Sequence, residues 1–552
     1  MALLDWIVIA LFCVALIGII VWVMRQKQNN AADYFLGGKD ARWIAIGASI
    51  FASNIGSEHL IGLAGSGASS GMAMAHWEIQ GWMILILGWV FVPFYTRSMV
   101  YTMPEFLEKR FNPQSRTILA TISLISYVLT KVAVTVYAGG LVFQQVFGID
   151  ELWGIDFFWI AAVGLVLITA LYTIFGGMKS VLYTSVLQTP ILLLGSLIIL
   201  VLGLKELGGW DEMMRICSAV KVNEYGDTMT NLIRNNGDPQ YPWLGALIGS
   251  AVIGFWYWCT DQFIVQRVLS GKNEKESRRG TIFGAYLKLL PVFLFLIPGM
   301  IAFALHQNLG DFLPLNANGM PNSDAAFPTL VAKLLPAGVK GLIVCGILAA
   351  LMSSLASLFN SSSALFTIDF YQRFKPNTDP KKLVKIGQAA TVVIVLLGIL
   401  WIPVMRSIGD VLYLYLQDVQ SVLAPGIASA QGGMWALLSG LIVGLTRLGA
   451  KIYYTSQGVV AGANPDASLF QRVFFDENWL FFCGWMLVFC LAVGVIVSLC
   501  TKAPAPEKIQ GLVFGTSTAE QRAATRASWD KWDIIHSIII LAITVAFYIY
   551  FW

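Results

Sequence analysis

The chain has 552 residues, 57% of them hydrophobic and only 12% charged, with a mean hydropathy of +0.70. A soluble domain carries roughly 25% charged residues, so these proportions exclude one and point to an all-α polytopic membrane protein. The net charge of +4 and pI near 8.5 are accounted for by basic loops and call for no nucleic-acid partner.

A span needs about 20 mostly apolar residues. Windows of that size predict fourteen transmembrane helices: 4–24, 43–68, 74–101, 117–147, 153–175, 181–204, 243–269, 280–305, 341–366, 384–404, 408–429, 434–454, 478–500 and 532–552. The first is too long and too poorly terminated for a cleaved signal peptide and reads as a retained span. Basic residues cluster after alternate windows: Arg25, Lys39 and Arg42; Arg97, Lys109, Arg110 and Arg116; Lys179; Lys272, Lys275, Arg278 and Arg279; Arg373, Lys375 and Lys381; Lys502, Lys508, Arg522 and Arg526. Short Lys/Arg-rich loops stay cytoplasmic. That predicts a plasma or bacterial inner membrane location with both termini outside, and external loops at 205–242 and 306–340. The seven cysteines lie mostly within spans, with Cys217 in an external loop, and imply no disulfide framework.

The second window contains Ser53-Asn54-Ile55-Gly56-Ser57-Glu58-His59-Leu60-Ile61-Gly62. A membrane helix satisfies its backbone internally, and two glycines beside Asn, Ser, Glu and His are poor material for an unbroken one. Irregular backbone survives at membrane depth where it lines a cavity, and transporters use such points to hold ions and substrates. Apolar sequence continues on both sides, so the segment reads as a break within one span. In the third window Glu78 is either a solvated interfacial carboxylate or an acceptor facing a central cavity. Lys131, in the fourth, snorkels or has a structural partner.

The seventh window supplies Trp256-Tyr257-Trp258-Cys259-Thr260-Asp261-Gln262. Starting from Pro242, fourteen residues precede Trp256, which sets this cluster toward the inner half of the membrane rather than in an interfacial aromatic belt. Rings beside hydrogen-bonding groups suit a polyol, whose C–H faces stack on rings while its hydroxyls need donors and acceptors. Lys288, in the eighth window, snorkels or faces the interior. The ninth holds Ser353, Ser354 and Ser357. Serines in membrane helices often serve close packing, but paired hydroxyls beside the free carbonyls of an unwound 52–56 segment also make an oxygen cage. Such ligands suit a hard cation such as sodium. Gln417, in the eleventh window, is a further buried polar candidate. After it comes Ala424-Pro425-Gly426-Ile427-Ala428-Ser429-Ala430-Gln431-Gly432-Gly433. This loop has no Lys or Arg although its place in the alternation is cytoplasmic, and it leaves the eleventh span short beyond Pro425.

Taken in order, Ala52-Ser53-Asn54-Ile55-Gly56-Ser57-x-His59, Glu78, Gly176-Gly177-x-x-x-Val181-x-x-Thr184, Trp256 to Gln262 with Gln266-Arg267, Tyr286-Leu287-Lys288, Ser353-Ser354-Leu355-x-Ser357 and Gln417 resemble the sodium–glucose cotransporter family of sodium/solute symporters. The resemblance runs from about residue 30 to the C-terminus. It implies a leucine-transporter-type fold, with two inverted five-helix repeats that each open on a broken helix. Residues 1–42 form an N-terminal extra helix and loop, 43–204 the first repeat, 205–242 an external loop, 243–429 the second repeat with its last helix shortened, and 430–552 the C-terminal helices. By position, Asn54, His59, Glu78, Tyr257, Trp258, Lys288 and Gln417 match sugar-contacting residues, Tyr257 also being the aromatic that closes the pocket toward the cytoplasm. Ala52, Ile55 and Ala350 through carbonyls, with Ser353 and Ser354 through hydroxyls, match the sodium site.

Three departures from the family pattern stand out. Thr184 is followed by Ser185 in place of Asp, Glu78 by Ile79 in place of Trp, and an apolar stretch ending in basic residues is lost between Ile427 and Gln431. The function implied is sodium-driven import of a neutral monosaccharide, glucose- or galactose-like, by alternating access. Sodium is the coupling ion, no cofactor is implied, and the chain is not an enzyme: no phosphate loop, metal-ligand spacing or nucleophile motif is present. A symporter for myo-inositol or another polyol is an alternative, because the same side chains serve any ring of hydroxyls. A sugar-binding sensor or uncoupled pathway, motivated by Ser185 and the short eleventh span, is another. The expected partners are sodium, the sugar or polyol and the lipid bilayer.

Overall fold

The computed structural model describes every residue except 27, 57, 317–318, 409–429, 465, 503, 505–508 and 514, and only the backbone at 58, 145, 404–408 and 430. In chain order its principal helices are α1 (Leu3–Met24), α2 (Trp43–Asn54), α3 (Ala64–Ser70), α4 (Pro113–Ser126), α5 (Ala133–Phe147), α6 (Phe157–Leu207), α7 (Trp243–Cys259) and α8 (Gln262–Leu269). There follow α9 (Glu274–Lys288), α10 (Ile297–Leu309), α11 (Val339–Ala364), α12 (Pro380–Ile408), α13 (Ala430–Ser456), α14 (Trp479–Leu499) and α15 (Lys531–Tyr550). A two-stranded hairpin at Glu151–Leu152 and Ile155–Asp156 is the one sheet among the described residues.

Among the described residues ten helical stretches are long and apolar enough to cross a membrane, or eleven when α7 and α8, bent by 42°, count as one. This is fewer than the fourteen windows because two pairs of windows run together and one window lies largely outside the described residues. His59–Ser98 is continuous enough to merge the C-terminal part of the second window with the third. The 51-residue α6 merges the fifth and sixth. Straight, it would be roughly 77 Å long at 1.5 Å per residue, far beyond a bilayer, and it is divided at Gly177. There the backbone is at φ +54°, ψ −149°, and a side chain would run into the Tyr34 carbonyl. Finally, the eleventh window beyond Ile408, with Gln417, residues 424–429 and the end of the second repeat, lies outside the described residues.

The helices sort by depth according to their side chains. The Val339–Phe374 stretch is 89% buried in its membrane window, whereas α1 is 17% buried. Helices apolar all round suit a membrane or a large core; the small residues of α11, among them Ser353, Ser354, Ser357 and Ser361, let neighbours approach closely. α6 packs against it most extensively, and α2 lies against α6, α9 and α11. The C-terminal helices complete the wall: α14 packs on α7 and α13, and Arg279 of α9 pairs with Asp530 (2.7 Å) and Asp533 (2.9 Å) at the head of α15. All seven cysteines are free, and burial pushes the Cys217 thiol up to about 12 within the Trp210–Ala219 helix.

Candidate functional site

The break in the second span falls where Gly56 and its polar neighbours place it. α2 ends at Asn54, and Ile55 is extended at φ −79°, ψ 108° before helix resumes at Glu58. Carbonyls released by such a break need partners in a dry interior. Ser354 of α11 supplies one: its Oγ lies 3.0 Å from the Ser53 carbonyl and 3.1 Å from that of Ile55. Around this point Ser53 Oγ is 2.7 Å from Ser357 Oγ, and Ser185 Oγ is 3.3 Å from Ser353 Oγ and 3.5 Å from Ser49 Oγ. Ala52 and Ala350 are buried on the same two packed helices. All of these oxygens are neutral hydroxyls or carbonyls, a donor set that suits sodium.

One residue joins this cluster to a pocket. Asn54 sits between Ser53 and Ile55; its amide donates to Tyr257 Oη at 3.2 Å, and its Oδ1 accepts from Lys288 Nζ at 3.1 Å. Lys288 Nζ also donates to Glu78 Oε2 at 2.7 Å, and Glu78 Oε1 is 3.4 Å from His59 Nε2. The lysine side chain is 4% exposed and the glutamate 7%, so the sequence alternatives of snorkelling and interfacial solvation give way to a buried pair. Beyond that Glu78 contact, His59 Nδ1 has no hydrogen-bond partner among the described residues. Trp258 lies beneath Lys288 at 5.3 Å and edge-on to Tyr257 at 4.9 Å. Ser354 lines the same pocket as these residues.

On the Lys272 side of the pocket the chain bends between α7 and α8. Asp261 makes the bend: its Oδ1 accepts the Phe263 N–H at 3.2 Å, capping α8. The same carboxylate accepts from Lys131 Nζ at 2.7 Å and from the Tyr127 hydroxyl. Lys131 therefore has the structural partner. Its ammonium is 4.9–5.2 Å from the rings of Tyr127, Trp256, Tyr257 and Phe263. At the opposite end, Trp77 stacks on Trp479 of α14 at 5.6 Å and 25°.

Of the residues singled out from sequence, the pocket gathers Asn54, His59, Glu78, Tyr257, Trp258 and Lys288; Gln417 lies outside the described residues. The structure adds Gln80, whose Oε1 accepts the Trp258 indole N–H at 3.2 Å while its Nε2 donates to the Ser250 carbonyl at 2.8 Å. A polar side chain two residues past Glu78 in an apolar window was the available signal. Trp479 gave none, since its role depends on which helices meet; Ser185, marked in the sequence only as a departure from the family pattern, is brought beside Ser353 by the packing of α6 on α11.

The model of the sodium:solute symporter family matches residues 34–431. The mouse sodium/myo-inositol cotransporter 2 is 36% identical over 545 residues, covering 93% of this chain and 79% of that protein. The zebrafish sodium/glucose cotransporter 4 is 35% identical over 560 residues, covering 96% and 83%. Among solved structures, a substrate-bound outward-open state of a Na+-coupled sialic acid symporter superposes with a TM-score of 0.68 at 22% identity, over 91% of this chain and 99% of that one. That likeness establishes the shared fold.

Proposed function

Because the chain belongs to the sodium:solute symporter family, we propose that its neutral-oxygen cluster holds the coupling sodium and its pocket holds a neutral ring of hydroxyls. The protein is a multi-pass, sodium-coupled symporter. The observation that carries the finer reading is charge balance. Glu78 is matched by Lys288 and Lys131 by Asp261, so among the described residues the pocket presents hydrogen-bonding groups and the Trp258 ring without uncompensated charge. A charged solute would find no free counter-ion among the described residues, whereas a monosaccharide or cyclic polyol finds donors, acceptors and a face to stack on. His59 Nδ1, which has no hydrogen-bond partner among the described residues, suits a solute hydroxyl.

Coupling follows from residues 53–55. Sodium held against Ser354, Ser353 and the Ala52, Ile55 and Ala350 carbonyls would fix the backbone on either side of Asn54, whose side chain belongs to the solute network. Each ligand then raises the affinity for the other by the same factor. Tyr257, below Asn54, closes the pocket toward the basic loops, which face the cytoplasm, leaving both termini outside the plasma or inner membrane. The repeats are 43–204 and 243–429. In proteoliposomes with an inward sodium gradient, D-glucose, D-galactose and myo-inositol are the solutes to test. Accumulation above equilibrium of at least one is expected and identifies the preferred ring. Binding without accumulation would mark a sensor, and indifference to all three would refute the polyhydroxylated-ring reading.

A further inference from the structure

Arg267 is fully buried, and none of its Nε, Nη1 and Nη2 atoms has a hydrogen-bond partner among the described residues. The other buried arginines are not left so: Arg234 reaches Asp238, Arg278 reaches Glu274 and Arg447 reaches the Glu477 carbonyl. The nearby carboxylate of Asp261 is already taken by Lys131, Tyr127 and the Phe263 N–H. What Arg267 does touch is the ring of Phe263, one turn earlier on α8, at 5.0 Å. Lys131 Nζ is 4.9 Å from the same ring. Lys131 and Phe263 line the pocket, and Arg267 does not. Phe263 thus contacts one cation open to the pocket and one sealed from it.

A guanidinium carries five donors in a fixed fork, and leaving them unpaired in a dry interior is unfavourable. Side chains on a helix lean toward its N-terminus, which aims Arg267 up at Phe263 and the pocket floor. That penalty would be relieved were Phe263 to move aside and acceptors to reach the guanidinium.

We propose that Arg267 forms a second, exit-side subsite for the neutral polyhydroxylated solute, donating to its hydroxyl oxygens after they leave Tyr257 and Lys131. The proposal rests on the transport reading above. Its test uses the full chain in proteoliposomes, as wild type, Arg267→Met and Arg267→Lys, with radiolabelled D-glucose and myo-inositol as probes. In Arg267→Met, sodium-dependent binding and the half-saturating solute concentration stay unchanged while maximal uptake falls about tenfold, as expected for losing a hydrogen bond from a charged donor. Arg267→Lys, which keeps a charged donor, retains most of the uptake. Wild-type maximal uptake in Arg267→Met overturns the subsite, and so does loss of binding together with uptake in both variants, which marks a purely structural arginine. Uptake of neither probe by the wild type instead overturns the transport reading, and the subsite with it.

Discussion

Glu78 and Lys288 share a contact of 2.7 Å in the dry middle of the molecule. Removing one partner of such a pair leaves an uncompensated charge, at a cost of about 3–5 kcal/mol. Lys288→Ala is therefore expected to melt at a lower temperature than the wild type and to lose solute binding. The double variant Glu78→Ala/Lys288→Ala regains part of the stability but none of the binding. Thermal unfolding and solute binding on the same samples check both halves; a double variant no more stable than Lys288→Ala would deny that the pair is buried and coupled. Ser354 lies at the other end of the site. Ser354→Ala removes the hydroxyl facing the Ser53 and Ile55 carbonyls, so the sodium concentration for half-maximal uptake rises. Solute affinity recovers at saturating sodium, and wild-type sodium dependence would place the ion elsewhere.

At the scale of elements, close backbone approach fixes the bundle. A Cβ added to Gly67 of α3 would strike the Leu296 carbonyl, and one added to Gly299 of α10 the Ala64 carbonyl, so the two helices cross glycine to carbonyl. Gly67→Ala and Gly299→Ala should each destabilise the protein by about 1–3 kcal/mol through overpacking. Gly164→Ala, with nothing within 4 Å, is the neutral control, and equal melting temperatures for all three would show that the crossing tolerates separation. The 205–242 loop is tied down differently. Arg234 donates to the Ser70 carbonyl and lies 3.4 Å from Asp238 Oδ2. Burial opposes the charge on Asp238, but N–H donors from Tyr241, Asn223 and Gln240 prevail and hold its carboxyl below the usual range. A depressed folded value means stability that is present above the unfolded pKa of about 3.9 and lost as pH falls through the folded one. The loop is thus expected to resist proteolysis at neutral pH and to become cleavable only below about pH 4; cleavage already at pH 6 would contradict this anchoring.

For the molecule as a whole, the proposed sharing of the 53–55 backbone by sodium and solute predicts that replacing sodium by choline weakens solute binding. By reciprocity, saturating solute should raise sodium affinity by the same factor. Paired titrations measure both, and unequal factors would mean that a second ion or a further conformational state intervenes. The same scale explains why α14, outside both proposed repeats, matters to the site: Trp479 meets Trp77 at the pocket mouth only because α14 packs along α7.

The sequence by itself determined the membrane class, the span windows and the break at Gly56, because a dry bilayer forces apolar length and makes Asn, Ser and Gly within a span conspicuous. It also marked Glu78, Lys288, Tyr257, Trp258 and the Ser353-Ser354 pair, since polar groups at that depth are expensive and rarely incidental. Only the tertiary structure chose between snorkelling and pairing for Lys131 and Lys288, because a partner more than a hundred residues away leaves no local trace. It alone brought Ser185 beside Ser353 and set Gln80 under Trp258. It also left Arg267 buried without an acceptor among the described residues, a fact about the packing of neighbouring helices rather than about any stretch of chain.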